Sequence, residues 1–489
     1  MEDLNDREVA PGATRQPADE TRRFTMRREH FAPFVAGQDG PWDAKAAGHL
    51  LRRSGLGASK AQIEQTAGKG LEAAVEDLFD DDATQESDFQ DTFQRISGNF
   101  ADFSDLGQLQ AWWCYRMMKS STPLREKLTL FWHGHFATSI SKVEDAYLMH
   151  RQIEMLRERA WGNFRDLVAG IAADPAMLVY LDGDANTKEH PNENFAREVM
   201  ELFTLGIGNY TEKDVLEAAR AFTGWQRASQ ANFQFNAELH DDSRKEFLGR
   251  RGRFKADDII DILMQQPATT RFIARKLLVF FACPEPPDEV VAEAAELFTR
   301  TRLNVEWFLR DLFQSKFFYS AACRRTRISS PAEFVIGTCR SLGVRMAAPE
   351  LAQNIAAMGQ ELFNPPNVKG WDGEKKWINS TALAARTGFA ERITQLFSET
   401  AFGPHLDMNA VVAADLAEPA KVVDALADQL LDGSLSADAR REIAALLVSN
   451  DQNPQMMMLD QFRADPGFRD QQLRAALGVI LSLPEYQTV

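Results

Sequence analysis

The densest group of polar side chains lies in residues 188–210, with the sequence KEHPNENFAREVMELFTLGIGNY. At about 100° per residue, a helix here places apolar residues on one side and Glu193, Arg197 and Glu201 on the other. Arg197 is four residues from each of these glutamates, so we expect it to bridge both carboxylates. Glu198 lies at the boundary of the two faces, three residues from Glu201, and the two can share a cation. The alternative is an ordinary amphipathic helix with a solvated ladder of salt bridges.

Two histidines separated by a glycine form a second candidate group, in the sequence FWHGHF. On a continuous helix His133 and His135 diverge by about 200°, which keeps both imidazoles from facing one ion. We expect Gly134 to fray or end the helix, and in an extended segment both side chains point the same way. Imidazole is a common metal ligand, so the pair is a candidate for metal binding. The alternative is a pair of packed, hydrogen-bonded core histidines.

A third group, His240-Asp241-Asp242, follows a predicted hairpin, where its carboxylates could instead cap a turn. If the three groups converge, their nitrogen and oxygen ligands suit Zn, Mn or Fe. The five predicted ligands are His133, His135, Glu198, Glu201 and His240. A metal-bound water beside Glu198 or Glu201 would supply a nucleophile or base for hydrolytic or oxidative chemistry. Arg197 would orient a carboxylate or bind an anionic substrate, which makes it the third predicted catalytic residue.

A rigid loop carries the remaining candidates, with the sequence GQELFNPPNVKGW at residues 359–371. Its paired prolines exclude a helix, and we predict that it is a structural latch or a wall of the site. Trp371 and Trp377 could stack on a sugar ring, and core packing is the alternative for each. The sequence contains no P-loop, nucleophile elbow, HExxH helix or dinucleotide-binding fingerprint.

Bulk properties exclude some classes of protein. The net charge of -16 argues against a general binder of nucleic acid or anionic membranes, because phosphate binding needs basic surface. The four cysteines are scattered, which predicts buried free thiols rather than a disulfide framework or zinc site. Neither a signal peptide nor a run of about 18 apolar residues is visible, so we expect no membrane span and a cytoplasmic location.

The elements that must position these groups are helices. Helical periodicity with well-placed caps, such as Thr122-Pro123, predicts an all-α fold, a large array of helices with one small β-hairpin near residues 230–250. We predict a flexible arm over residues 1–40, a main helical domain over 41–400, and a C-terminal helical subdomain over 401–489.

Seven long segments resemble a bacterial family known as domain of unknown function 1800. They are HLLRRSGLG (49–57), LREKLTLFWHGHFATS (124–139), NENFAREVMELFTLGIGNYTEKDVLEAARAFTGW (192–225), HDDSRKEFLG (240–249), DIIDILMQQPATTRFIARKLLVFF (258–281), GQELFNPPNVKGWDGEKKWINSTAL (359–383) and LSLPEYQ (481–487). The resemblance implies an all-α fold, export signals in many members, and a neighbouring gene for a second family similar to alkaline-phosphatase-like proteins. It implies no catalytic residues.

Three hypotheses of function follow. The first is a metal-dependent enzyme, hydrolytic or oxidative, with the histidine and glutamate side chains as its site. The second is a scaffold or accessory protein for a partner encoded nearby. The third is a carbohydrate- or envelope-binding module that uses the loop tryptophans.

Overall fold

The structure is a computed structural model that describes residues 29–80, 87, 89, 105–229, 232–396, 403–413, 415–449 and 458–489. These residues form 23 α-helices and two small antiparallel hairpins, so the predicted all-α fold is confirmed. No helix among them is both long and apolar enough to cross a membrane.

Nine of the described helices precede the segment that carries the glutamates. They are α1 (Ala44–Ser54), α2 (Lys60–Lys69), α3 (Leu71–Asp77), α4 (Leu106–Lys119), α5 (Pro123–His135), α6 (Ile140–Val143), α7 (Ala146–Glu158), α8 (Phe164–Ala172) and α9 (Pro175–Tyr180). Helix α5 begins at the predicted Thr122-Pro123. The fixed φ of proline and its missing N–H suit the first turn of a helix.

The middle of the chain holds both hairpins. Its elements are α10 (Asn194–Glu198), a π-helix (Val199–Thr204), α11 (Glu212–Ala221), β1 (Trp225–Ser229), β2 (Asn232–Phe235), β3 (Lys245–Phe247) and β4 (Arg250–Gly252). We predicted one hairpin, and the structure has two, β1 with β2 and β3 with β4. The second forms because Leu248-Gly249 is a two-residue turn that pairs Phe247 with Arg250.

Twelve of the described helices follow the hairpins. They are α12 (Ala256–Met264), α13 (Pro267–Phe281), α14 (Asp288–Arg300), α15 (Val305–Gln314), α16 (Pro331–Leu342), α17 (Ala348–Ala357), α18 (Ser380–Thr394), α19 (Met408–Val411), α20 (Pro419–Leu431), α21 (Ala437–Leu446), α22 (Leu459–Ala464) and α23 (Pro466–Ser482). Between α17 and α18 lies the proline-rich loop, residues 358–379, which ends in a 3₁₀ turn at Glu374–Ile378.

A large buried cluster of apolar side chains runs from Phe34 to Leu481. All four cysteines are buried free thiols, as predicted. Of the predicted flexible arm, residues 1–28 lie outside the described part. Its described end contacts the helices, where the Phe34 N–H donates to the Gln314 carbonyl oxygen at 2.7 Å. The predicted division near residue 400 stays a prediction.

Candidate functional site

The two histidines of the HGH motif lie on a continuous helix. Helix α5 runs through Gly134 and ends at His135, so the predicted break at Gly134 is wrong. Both imidazoles are buried and face different neighbours. His133 Nε2 accepts a hydrogen bond from the Phe363 N–H at 3.1 Å, whereas His135 Nε2 bonds the Phe203 carbonyl oxygen at 3.1 Å. Helical geometry therefore separates them, as the angle of about 200° requires.

Arg197 does not bridge the two expected glutamates. It donates to Glu193 at 3.0 Å and to Glu212 at 2.8 and 2.7 Å. Glu201 instead accepts a hydrogen bond from the Tyr210 hydroxyl at 2.5 Å. The reason is the π-helix from residue 199, whose wider turn rotates residue 201 away from its α-helical position four residues after 197.

Glu198 and His240 lie in separate surroundings. Glu198 is half-buried, and burial together with the charge of Glu201 raises its pKa. His240 is buried, and its Nδ1 donates to the Thr223 carbonyl oxygen at 2.9 Å. In the described part of the chain, no three His, Cys, Asp or Glu side chains are arranged to hold a metal ion. The structure therefore does not bring His133, His135, Glu198, Glu201 and His240 together around one position.

The buried His133 predicts a loss of stability in acid. Burial lowers its pKa to about 3, so below pH 6.5 the unfolded chain binds a proton that the folded chain does not. The free energy of unfolding therefore decreases as the pH is lowered from about 6.5 to 3, and His133 contributes up to about 1.4 kcal/mol per pH unit to this decrease. His133→Gln keeps an acceptor for the Phe363 N–H and removes the titrating group. Urea unfolding measures the free energy of unfolding at pH 7.5 and at pH 5.0. We expect this free energy to decrease by about 2 kcal/mol less in the variant than in the wild type.

The exposed His190→Gln is the control for this measurement, and it is expected to leave the acid dependence as in the wild type. If His133→Gln retains the full wild-type dependence, buried His133 is not a source of the acid lability.

A cleft of about 400 Å³ lies beside His135. Helix α5 supplies one wall, α13 a second, residues 327–330 before α16 a third, and residues 360–377 of the proline-rich loop a fourth. The loop is held in place by hydrogen bonds from its buried end: the Phe363 carbonyl oxygen accepts from the Ile140 N–H at 2.9 Å, and Ser139 Oγ donates to Asn364 Oδ1 at 2.6 Å. Four sequence segments far apart in the chain thus form one cavity.

Charged side chains line this cleft, and most of them are paired. Arg275 Nη1 is 3.4 Å from Asp288, and Lys369 Nζ is 3.5 Å from Asp372. Arg327 pairs with Glu333. Lys276 differs, since it has no carboxylate within salt-bridge distance among the described residues.

The Lys276 amine is held by neutral groups. Its Nζ is 2.9 Å from His135 Nδ1, 3.4 Å from the Leu202 carbonyl oxygen, and 4.8 Å from the centre of the Phe272 ring. Because His135 Nε2 donates to the Phe203 carbonyl, its Nδ1 is the acceptor for Lys276. Burial, together with the nearby charge of Lys369, lowers the pKa of Lys276 to about 8.

The glutamate segment reaches this site through its backbone. The carbonyl groups of Leu202 and Phe203 belong to the π-helix and accept from Lys276 and His135. The partial negative charge at a helix C-terminus favours such donors. The segment therefore meets His135 with the carbonyl groups of its last turn.

Lys276 is not among the residues predicted from the sequence. It lies in RFIARKLLVFF, which has the composition of an ordinary amphipathic helix. One signal was available: Phe272 and Phe280 are its neighbours at i−4 and i+4, so both sides of this lysine on the helix are aromatic. Trp371 and Trp377, the two candidates for stacking on a sugar ring, both line the cleft.

Comparison with known proteins identifies the family of this chain but gives no activity for it. No curated protein and no solved structure matches the chain. The model of the family described as "Protein of unknown function (DUF1800)" matches residues 49–488, which include every wall of the cleft. The chain therefore belongs to the DUF1800 family.

Proposed function

We propose that this protein binds a small anionic ligand in the cleft beside His135, with the anionic group at Lys276. The observation that carries the proposal is the Lys276 ammonium, which lines the cleft and has no carboxylate partner among the described residues. A partly buried cation without a counter-charge is unfavourable, and an anion that enters the cleft would supply the missing charge. Lys369 adds a second positive charge close enough to affect the titration of Lys276.

The apolar surface of the cleft supports a ligand that also carries a ring. Phe280, Trp371 and Trp377 line the same cavity, and aromatic faces pack well on sugar or other rings. The volume of about 400 Å³ lies within the range of about 300–1,000 Å³ found for small-molecule sites. A sugar that bears a carboxylate or a phosphate has this size and chemistry. The proposal therefore shares the tryptophan contacts of the carbohydrate-binding hypothesis and adds the anionic group.

Calorimetry with four ligands tests this proposal: glucose 6-phosphate, glucuronate, glucose and inorganic phosphate. We expect both anionic sugars to bind at least about tenfold more tightly than glucose, since a charge-assisted hydrogen bond contributes about 1.5–3 kcal/mol. A preference for glucose 6-phosphate over glucuronate would identify phosphate as the favoured group. Equal affinity for glucose and the anionic sugars would contradict the proposal.

Lys276→Met is expected to weaken binding of the anionic sugars by about tenfold or more, because it removes the charge and keeps an unbranched side chain. The fold should tolerate the change, since it removes a partly buried charge that no carboxylate among the described residues neutralises. Arg271→Met is the matched control, on the exposed side of the same helix, where Arg271 pairs with Asp288 at 3.1 Å. Equal binding by wild type and Lys276→Met would place the anion elsewhere.

Fewer observations support the other hypotheses. A metal-dependent enzyme built on His133, His135, Glu198, Glu201 and His240 is not proposed, because these side chains are not arranged around one ion. A scaffold for a partner encoded nearby stays a prediction. An enzymatic role for the cleft needs a reactive group.

A further inference from the structure

The environment of Lys276 suits an amine as well as an ammonium. A neutral amine has two N–H groups and one lone pair. Two acceptors face Lys276 Nζ, His135 Nδ1 at 2.9 Å and the Leu202 carbonyl oxygen at 3.4 Å. These acceptors occupy both N–H groups on the protein side, which leaves the lone pair for the cleft that Lys276 lines.

The charges around this amine favour its neutral form. Among the described residues no carboxylate is within salt-bridge distance of Nζ, and Lys369 from the loop is a like charge. With the pKa lowered to about 8, a substantial fraction of Lys276 is neutral near pH 7.5. A desolvated lysine beside another cation is a recognised form of activated amine nucleophile.

We propose that Lys276 forms an imine with the carbonyl carbon of an anionic aldehyde or ketone bound in the cleft. The amine lone pair attacks the carbonyl carbon, so that a C–N bond forms and a carbinolamine results. Its C–O bond then breaks, and the oxygen leaves as water with the two hydrogens that the amine nitrogen has lost. No oxidant, reductant or further reactant is needed. The inference rests on the proposed function, because the anionic group of the ligand is what brings the carbonyl into the cleft.

Reductive trapping in the full-length protein tests the inference. Glyoxylate is the anionic probe, acetaldehyde is the neutral control, and sodium cyanoborohydride reduces any imine to a stable amine. Peptide mapping by mass spectrometry then gives the labelling rate at each lysine. We expect glyoxylate to label Lys276 at least about tenfold faster than the exposed Lys60, and acetaldehyde to show a much smaller preference. Labelling of Lys276 no faster than of Lys60 would overturn the inference.

Two measurements on the wild-type protein separate this inference from the proposed function. Calorimetry with glucose 6-phosphate reports the anion site, and reductive labelling reports the imine. Lys276→Arg cannot form an imine under these conditions, so it should lose the fast labelling site. Wild-type protein that binds glucose 6-phosphate and is not labelled at Lys276 would refute the imine and leave the anion site standing. Equal labelling of Lys276 by glyoxylate and acetaldehyde, without binding of anionic sugars, would refute the anion site and leave the reactive amine.

Discussion

Glu333→Gln is expected to destabilise the protein by about 3–5 kcal/mol, the range for breaking a buried ion pair by removing one partner. Glu333 is buried at the start of α16. One of its carboxylate oxygens pairs with Lys127 at 2.9 Å and also with Arg327. The other accepts from the Ser330 N–H at 2.9 Å, which caps the helix. The substitution leaves two buried cations without this charge.

The pKa values of Glu333 and Lys127 depend on each other. Burial acts to raise the pKa of Glu333, but the charges of Arg327 and Lys127 hold it well below its usual range. Burial lowers the pKa of Lys127 to about 7, against the opposing effect of Glu333. Without Glu333 we expect Lys127 to lose its proton at neutral pH, whereas Arg327 stays charged and unneutralised.

Urea unfolding at pH 7.5 measures the loss, with Asp288→Asn as the control. Asp288 also accepts from two arginines, Arg271 and Arg275, but it is 80% exposed, so its loss is expected to cost under about 1 kcal/mol. Lys127→Met in the Glu333→Gln background should recover part of the stability, because it removes a buried amine that has lost its carboxylate partner. A loss of under about 1 kcal/mol for Glu333→Gln itself would contradict this account.

The same network connects the cleft to the core. Lys127 lies on α5, the helix that ends at His135, and Arg327 lines the cleft. Both cations lie over the ring of Phe280, at 5.8 and 5.3 Å from its centre. Loss of Glu333 is therefore expected to disturb three walls of the cleft together, and anion binding should weaken along with stability.

Local rules predicted the helices well and the site poorly, for one physical reason. Caps and periodicity act over a few residues, so the start of α5 at Pro123 and the break between α12 and α13 at Pro267 follow directly from the sequence. The cleft depends on side chains far apart in the chain, such as His135, Lys276 and Trp371. Their juxtaposition is set by packing, which no local pattern encodes.

The glutamate segment was a poor guide to the site, because charged residues that are close in the sequence need not point toward one another in the fold. Arg197 and its carboxylate partners are largely exposed and satisfy one another. The chemically unusual group is instead a lysine whose hydrogen-bond and ring contacts are all with uncharged groups. What distinguishes it is burial without a counter-charge, and burial is a property of the fold.

Gly370→Ala is expected to remove the loop wall of the cleft. Gly370 has φ +85°, and a Cβ there would overlap the carbonyl oxygen of Gly134 on α5. The left-handed backbone alone costs an L-residue about 1–2 kcal/mol, and the overlap adds to it, so the total loss is expected to reach about 3 kcal/mol or more.

Gly373→Ala is the matched control in the same loop. Gly373 has φ +73°, but the nearest atom to its Cβ would be Trp377 Nε1, at an ordinary contact distance of 3.9 Å. It should lose only the backbone term, about 1–3 kcal/mol for its conformation of φ 73° and ψ -172°, and keep the cleft. Tryptic cleavage after Lys369, which precedes Gly370, reports release of the loop, and calorimetry with glucose 6-phosphate reports the site. We expect fast cleavage and lost binding in Gly370→Ala alone. Equal behaviour of the two variants would mean that backbone strain, and not the contact with Gly134, holds the loop against α5.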